Sequence, residues 1–474
     1  MSTFNNFVST TGLDAHKWQQ EAIDFCLRNE QNPDPYLGIK GGLVADEMGL
    51  GKTIVMIGII ACNPKPATLI VVPTALIEQW QAQLSSLLVD TSIVVVHGPN
   101  AQKILHAKIN DATVVLTTYG TMSSTSSSVN RRFNFKKWDR IIYDEAHHMR
   151  NTTTKAYDSA FAIKSHITWL ITGTPINNGV RDFWNIMQII GLPDEYDTTD
   201  TDGVRKFLAE FVIKRTKAQV GLDIPGVTSH DIIVPWASEQ EREIAFNINA
   251  MIQELRVKIT DDPDDSEDSE QVNTRIPEKF HEIVKGKNKM LGLMMKAKQS
   301  CACPKMITDT FSTLIGDGNV ITNSKIKHVT DLIIEKNNGR KKIVFCHFTE
   351  EIASIKKILS TVYNVGVISG STSSADRRHL TTSEDIDVLI LQIQSCCEGL
   401  NLQHYCEIYF ISPSWNPSVE DQAIARAHRV GQTQEIDVYR FTMENFDNID
   451  NIDTYVKCVQ DNKRIAASDM YNIM

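Results

Sequence analysis

Between Gly41 and Thr53 the chain reads GGLVADEMGLGKT. Lys52 followed by the hydroxyl of Thr53, with Gly49 and Gly51 just ahead, is a residue set suited to holding phosphate. Leu43, Val44 and Ala45 predict a buried strand, and the apolar run from Ile54 predicts a helix. The two glycines permit left-handed backbone in the turn between them, so that N–H groups can converge on phosphate oxygens. Lys52 is placed to neutralise β- and γ-phosphates, and Thr53 to offer its hydroxyl to Mg²⁺ at the positive end of the helix dipole. Such loops usually open on Gly, and here Asp46 stands in that place. Taken alone, the stretch also suits a glycine-rich turn that only caps a helix.

A second set lies at Ile141 to His148, IIYDEAHH. An apolar strand delivers Asp144 and Glu145 at its C-terminal end, where α/β sheets place their ligands. Beside a phosphate loop, Asp144 would hold Mg²⁺ and Glu145 would orient and activate the water that attacks the γ-phosphate. A lone Asp-Glu pair would equally suit a salt-bridged strand end. His147 is placed to link this site to the next motif, Leu170 to Asn178 (LITGTPINN), a strand and turn able to sense the γ-phosphate. Near the far end, DQAIARAHRVGQ (421–432) sets Arg426 and Arg429 three apart, on one face of an expected helix. Guanidinium groups offered from a second lobe act as arginine fingers, worth about 10³–10⁵ in rate. The plainer alternative pairs them with Glu420 or Asp421 on a surface helix.

The elements that must carry these groups alternate. After the phosphate loop come a strand at 68–73, a helix at 74–88, a strand at 92–97, a helix at 100–108 and a strand at 112–118. Strands at 139–143 and 167–172 lead into the two later motifs, and a helix over 13–28 precedes them all. Such alternation predicts an α/β fold with parallel sheets covered on both faces. From 176 to about 310 helical patterns dominate, and residues 261–270 (DDPDDSEDSE) carry seven carboxylates and no basic residue. That run reads as a solvated, disordered loop; a brake on a basic groove is the alternative. Strands return at 342–346, 365–368, 387–391 and 407–411. The expected domains are therefore 1–220, a helical insertion at 221–320, and 321–474.

Composition sets the frame. The chain has 474 residues, 42% hydrophobic and 22% charged, with a net charge of −10. This is an ordinary globular balance with ample apolar content for two cores. Its N-terminus lacks the pattern of a secretory leader, and no apolar run is long enough to span a membrane. Nine cysteines without a CxxC spacing read as reduced intracellular thiols rather than a disulfide framework or zinc site. The acidic balance does not advertise nucleic-acid binding, although a local basic groove can act within an acidic whole.

Together these motifs resemble the Swi/Snf-type family of superfamily-2 helicase-like ATPases. The order matches through Gln19, DEMGLGKT, LIVVPTALIEQW, VVLTTYG, DEAH, TGTPINN, KIVFCHF, EGLNLQ, SWNP and HRVGQ, over about residues 10–445. The more diagnostic pieces are DEMGLGKT, which accounts for Asp46, IKRTK at 213–217, WNP at 415–417 and HRVGQ at 428–432. The resemblance implies two RecA-like lobes and an ATPase stimulated by double-stranded DNA, which tracks along one strand usually without separating the two. ATP and Mg²⁺ are the implied cofactors. Gln19, Asp46, Glu47, Met48, Gly49, Leu50, Gly51, Lys52 and Thr53, with Gly399 and Gln422, would bind nucleotide.

Carried over in the same way, Thr74, Thr117 and Tyr119 would lie on the DNA face of the first lobe. Gly370, Ser371 and Gln394 would lie on that of the second, and Trp415 would couple DNA to the ATP site. Three departures stand out: Cys396-Cys397-Glu398 where a Gly-Gly pair is common, Gln394 in the place of a common lysine, and Cys303 where the family's Cys-x-His-Pro has His. No histone-reading or RING segment is apparent, so targeting would come from partners. Nucleosomes or transcription and repair proteins are the implied context, in the nucleus or at a viral DNA-processing site. A strand-separating DNA or RNA helicase is the enzymatic alternative, and a catalytically silent nucleic-acid scaffold the non-enzymatic one.

Overall fold

The computed structural model describes residues 2–13, 15–32, 37–98, 101, 103–104, 106–124, 133–134, 136–261, 289–307, 322–396 and 399–471. The chain divides into two units, Met1–Ile224 with Lys463–Met474, and Pro225–Asn462.

In the first unit the strands are β1 (Gly41–Val44), β2 (Thr68–Val72), β3 (Ile93–Val96), β4 (Val114–Thr118), β5 (Trp138–Asp144), β6 (Ser165–Ile171) and β7 (Val212–Ile213). Among the described residues they form one sheet in the order β3-β4-β2-β5-β6-β1-β7. Every pairing is parallel. Period-two alternation sends Leu69, Val71, Ile141, Tyr143 and Leu170 into one core, and Ile70, Val72, Ile142, Trp169 and Ile171 into the other. Both faces are thus covered by helices, which explains the unbroken Val/Ile/Leu runs.

A buried ion pair fastens the N-terminal helix Lys17–Gln31 to this sheet. Arg140 on β5 donates to both carboxylate oxygens of Glu30, at 2.6 and 2.5 Å. Trp169 Nε1 and Asn63 Nδ2 also donate to that carboxylate, at 2.9 and 2.7 Å. Both charged side chains are wholly buried, so losing one partner leaves the other without its counter-charge. Arg140→Met is expected to destabilise the first unit by about 3–5 kcal/mol in urea unfolding. Adding Glu30→Met should recover part of the loss, because Trp169 Nε1 and Asn63 Nδ2 then lack their acceptor, and a single variant as stable as the wild type would contradict this account.

The second unit holds β8 (Val227–Val234), β9 (Lys342–Cys346), β10 (Val365–Ile368), β11 (Val388–Gln392), β12 (Glu407–Phe410) and β13 (Ile436–Met443). Among the described residues their order is β10-β11-β9-β12-β13-β8, again parallel throughout. Each unit is an open parallel sheet between helical layers, the RecA-like arrangement expected.

The boundaries differ from the three-part expectation. Residues 221–320 do not stand apart as an insertion: β8 joins the second sheet, paired along its whole length with β13. Ile248 and Ile252 from the helix Glu239–Asp261 pack in that unit's core, as do Leu293 and Ala297 from Lys289–Ala302. At the other end, Met470 packs in a first-unit core. The acidic run at 261–270 lies outside the described residues except for Asp261, which ends its helix. The helix expected at 100–108 forms instead over His106–Asp111. Among the described residues no helix is long and apolar enough to cross a membrane.

Candidate nucleotide-binding active site

The phosphate loop turns out of β1 into the helix Lys52–Cys62, with Gly51 as its N-cap in left-handed backbone (φ 82°, ψ 36°). A Cβ at Gly51 would sit 2.3 Å from Gln19 Nε2, so only glycine fits beneath that amide. Gln19 is buried rather than solvated; it donates to Leu50 O at 3.3 Å while its Oε1 accepts from His16 N at 3.1 Å. Lys52 Nζ donates to Asp46 O at 2.7 Å and Glu47 O at 3.4 Å. The TGTP turn lies alongside, since a Cβ at Gly173 would approach Met48 Cγ at 2.8 Å and Lys52 Nζ at 3.4 Å.

The unusual Asp46 has a structural answer. Its carboxylate takes two hydrogen bonds from Arg215, Nε at 3.0 Å and Nη2 at 2.5 Å. Glu47 pairs with Lys217, whose backbone N donates at 2.8 Å and whose ammonium sits at 3.2 Å. The backbone is stitched too, with Ala45 N donating to Ile213 O and Glu47 N to Arg215 O. The side chains of Asp46 and Glu47 therefore face the IKRTK segment, and their part is to hold the loop in shape. The sequence marked IKRTK as diagnostic but offered no role for Arg215 or Lys217.

At the end of β5, Asp144 is almost fully buried. Its Oδ1 accepts from Glu145 N at 2.9 Å, and its Oδ2 from the Trp80 indole at 2.6 Å. Burial, with Glu145's negative charge, pushes the Asp144 carboxyl up to about 7 against the opposing Trp80 bond and Lys52 charge. Glu145 adopts φ 50°, ψ 52°, the single positive φ outside glycine among the described residues. Backbone held in that region stores strain and clusters at functional sites. His147 Nδ1 lies 3.4 Å from Glu145 Oε2 and 3.1 Å from Thr172 Oγ1, so the imidazole does bridge the carboxylate pair to the TGTP turn.

Asp144 and Thr53 are hard oxygen donors of the kind Mg²⁺ accepts in small number from protein, taking the rest from water and phosphate. A divalent cation would also relieve the repulsion that raises Asp144. Among the described residues no group of three or more metal-ligating side chains makes an all-protein cage. The residues present fit a Mg²⁺ held jointly with a nucleotide.

In the second unit, Arg426 lies on the helix Pro417–Ala427, but that helix ends before Arg429. His428 closes it, its ring bonding to Pro225 O at 2.9 Å, so the two arginines do not share a helical face. They remain neighbours: burial and Arg426's like charge hold the Arg429 guanidinium below the usual arginine range. Glu420 is not their partner, being committed to Arg440, Ser414 N and Gln460. Gln422 is buried on the same helix and Gly399 takes φ 79°.

The expected DNA-facing residues divide. Thr74, Gly370, Ser371 and Gln394 are exposed, and Trp415 is half-buried against Tyr455. Thr117 is not available: it is fully buried in β4 and its hydroxyl donates to Val96 O at 2.8 Å. Tyr119 is also buried, with its hydroxyl donating to Asp144 O at 2.7 Å. Strand β4 is enclosed on both faces, which is why hydroxyl-bearing residues there turn inward. Cys397 and Glu398 lie outside the described residues. Sequence reasoning also passed over Trp80, whose only signal was its place in the quoted LIEQW run.

Comparison with known proteins assigns the family. The SNF2-related domain family matches residues 18–306, and the helicase conserved C-terminal domain matches 324–431. The chain is 25% identical to the probable global transactivator of Orgyia pseudotsugata multicapsid polyhedrosis virus, over 96% of this chain and 91% of that protein. It is 26% identical to the putative ATP-dependent helicase/translocase YwqA of Bacillus subtilis, covering 84% of this chain but only 44% of that one. The Hef helicase domain of Pyrococcus furiosus shares the fold, with a TM-score of 0.54 at 15% identity over 94% of this chain and 98% of that one. The chain belongs to the SNF2-related family and is a helicase-like, DNA-dependent ATPase.

Proposed function

We propose that this chain is an ATP-driven double-stranded DNA translocase that displaces or remodels proteins bound to DNA. The observation that carries this reading is the Lys52, Asp144 and Glu145 set on one sheet, tied by His147 to the TGTP turn. Lys52 takes the β/γ-phosphate charge. Thr53 and Asp144 would hold Mg²⁺, which supplies further charge neutralisation when bound. Glu145 orients a water and accepts its proton as the oxygen attacks γ-phosphorus and the bond to the bridging oxygen breaks, giving ADP and phosphate. Arg426 and Arg429 act as arginine fingers on the transferring phosphoryl group, and their mutual repulsion favours an anionic partner.

Exposed Thr74, Gly370, Ser371 and Gln394 offer hydroxyl, amide and backbone donors, which suit phosphate contacts that position without reading sequence. The WNP and HRVGQ stretches favour translocation over strand separation. Nucleosomes or transcription and repair complexes are the substrates this reading favours, in a nucleus or at a viral DNA-processing site. The test is ATP hydrolysis by the purified chain with duplex DNA, single-stranded DNA and RNA added in turn. Duplex DNA should stimulate most. Stimulation by single strands or RNA alone would transfer the function to the helicase alternative.

A further inference from the structure

The order of the first sheet puts β5, with Asp144 and Glu145 at its end, between β6 and β2, and puts β4 on the far side of β2. In a parallel sheet the segments leaving β2, β4 and β5 all emerge at the same carboxyl edge, where α/β folds bind their ligands. Beyond β2 the chain passes Pro73, exposes Thr74, and enters the helix Ile77–Leu87 that carries Trp80. Beyond β4 it enters the short helix Tyr119–Met122, whose second residue, Gly120, is exposed.

Both segments reach back to one residue. Trp80 Nε1 donates to Asp144 Oδ2 at 2.6 Å, and Tyr119 OH donates to Asp144 O at 2.7 Å. One bond fixes the carboxylate and the other fixes the carbonyl of the peptide that leads into the left-handed Glu145. We infer that Trp80 and Tyr119 are positioning residues which relay DNA occupancy at the ends of β2 and β4 to the Asp144–Glu145 pair. The inference rests on the translocase reading, which assigns DNA to exposed Thr74 beyond β2; it extends that contact to exposed Gly120 beyond β4 and adds the route by which DNA sets the rate.

The physical grounds are geometric. Asp144 is held at side chain and backbone by groups from two separate segments, so a shift of either segment moves it. A misplacement of about 1 Å in a reacting geometry costs on the order of 10²-fold in rate. Purely structural roles would need only that a buried indole N–H and phenol O–H find some acceptor. Here both find the same residue, next to the strained Glu145.

The test uses the full chain carrying Trp80→Phe or Tyr119→Phe, each of which keeps an aromatic ring and removes the donor. ATP turnover is measured with and without saturating duplex DNA, alongside duplex affinity by anisotropy with and without a non-hydrolysable ATP analogue. Turnover with DNA should fall by about 3- to 30-fold, with duplex affinity in the absence of nucleotide unchanged. Coupling is reciprocal, so the shift in duplex affinity that the analogue produces in the wild type should shrink in both variants. Variants that keep both the stimulation and the affinity shift would overturn the relay, as would a loss explained wholly by weaker duplex binding. Tyr119→Phe removes a single oxygen and keeps the test open should Trp80→Phe fold poorly. A wild type that no nucleic acid stimulates would instead overturn the translocase reading itself.

Discussion

Lys52→Ala should lower ATP turnover by about 10²–10³-fold, the usual loss when one preorganised donor to a developing negative charge is removed. Folding should be largely spared, because the side chain leaves the core alone. Its ammonium rests on the carbonyls of Asp46 and Glu47, partly open to solvent, while the loop's shape is held by Arg215, Lys217 and Gln19. Nucleotide affinity should fall with turnover, since the lost charge meets the phosphates in the ground state as well. Steady-state hydrolysis with duplex DNA present and a thermal melt on the same sample check both halves. A variant that hydrolyses ATP at near-wild-type rate would remove Lys52 from the mechanism.

Glu145→Gln should separate binding from chemistry. Gln keeps the size of Glu but cannot accept the proton of the attacking water, so kcat should drop by about 10²–10⁴-fold. ATP should still bind, because Lys52, Thr53 and the loop amides are untouched. Burial, the larger cause of the raised Asp144 carboxyl, remains, but removing the adjacent Glu145 charge takes away the lesser one, which favours retention of Mg²⁺ and ATP. Fluorescent-nucleotide titration against single-turnover hydrolysis gives the two numbers. Weak ATP binding by this variant would falsify the role given to Glu145.

Much of the site was legible because its chemistry is local. Gly49, Gly51, Lys52 and Thr53 declare a phosphate turn within five positions, and an apolar strand ending in Asp144-Glu145 declares where its carboxylates point. The parallel sheets followed from alternation alone. What escaped depends on contacts between distant residues. The family pattern accounts for Asp46, but its partner Arg215 lies 169 positions away in sequence. Thr117 and Tyr119 have the hydroxyls a phosphate contact needs, yet a strand enclosed on both faces turns the first toward Val96 and the second segment toward Asp144. Arg426 and Arg429 fit a helical spacing, and the helix stopped between them because His428 and the turn at Gly431 take the chain elsewhere. Strand β7 is two residues long, and β8 and β13 carried mixed polar patterns, so periodicity gave them little signal.

The sheet order carries a consequence for how the protein is made. Strand β1, which bears the phosphate loop, is synthesised before every other strand, yet its neighbours are β6 and β7. At about 5–20 residues per second on a ribosome, the 169-residue gap from Asp46 to Arg215 takes roughly 8–34 s to cross. Until that interval closes the emerging polypeptide has its glycine-rich turn without β7 on one side of it and without the basic segment that braces it. The bracing of the phosphate loop is therefore a late acquisition of the nascent chain, completed only when IKRTK has left the exit tunnel.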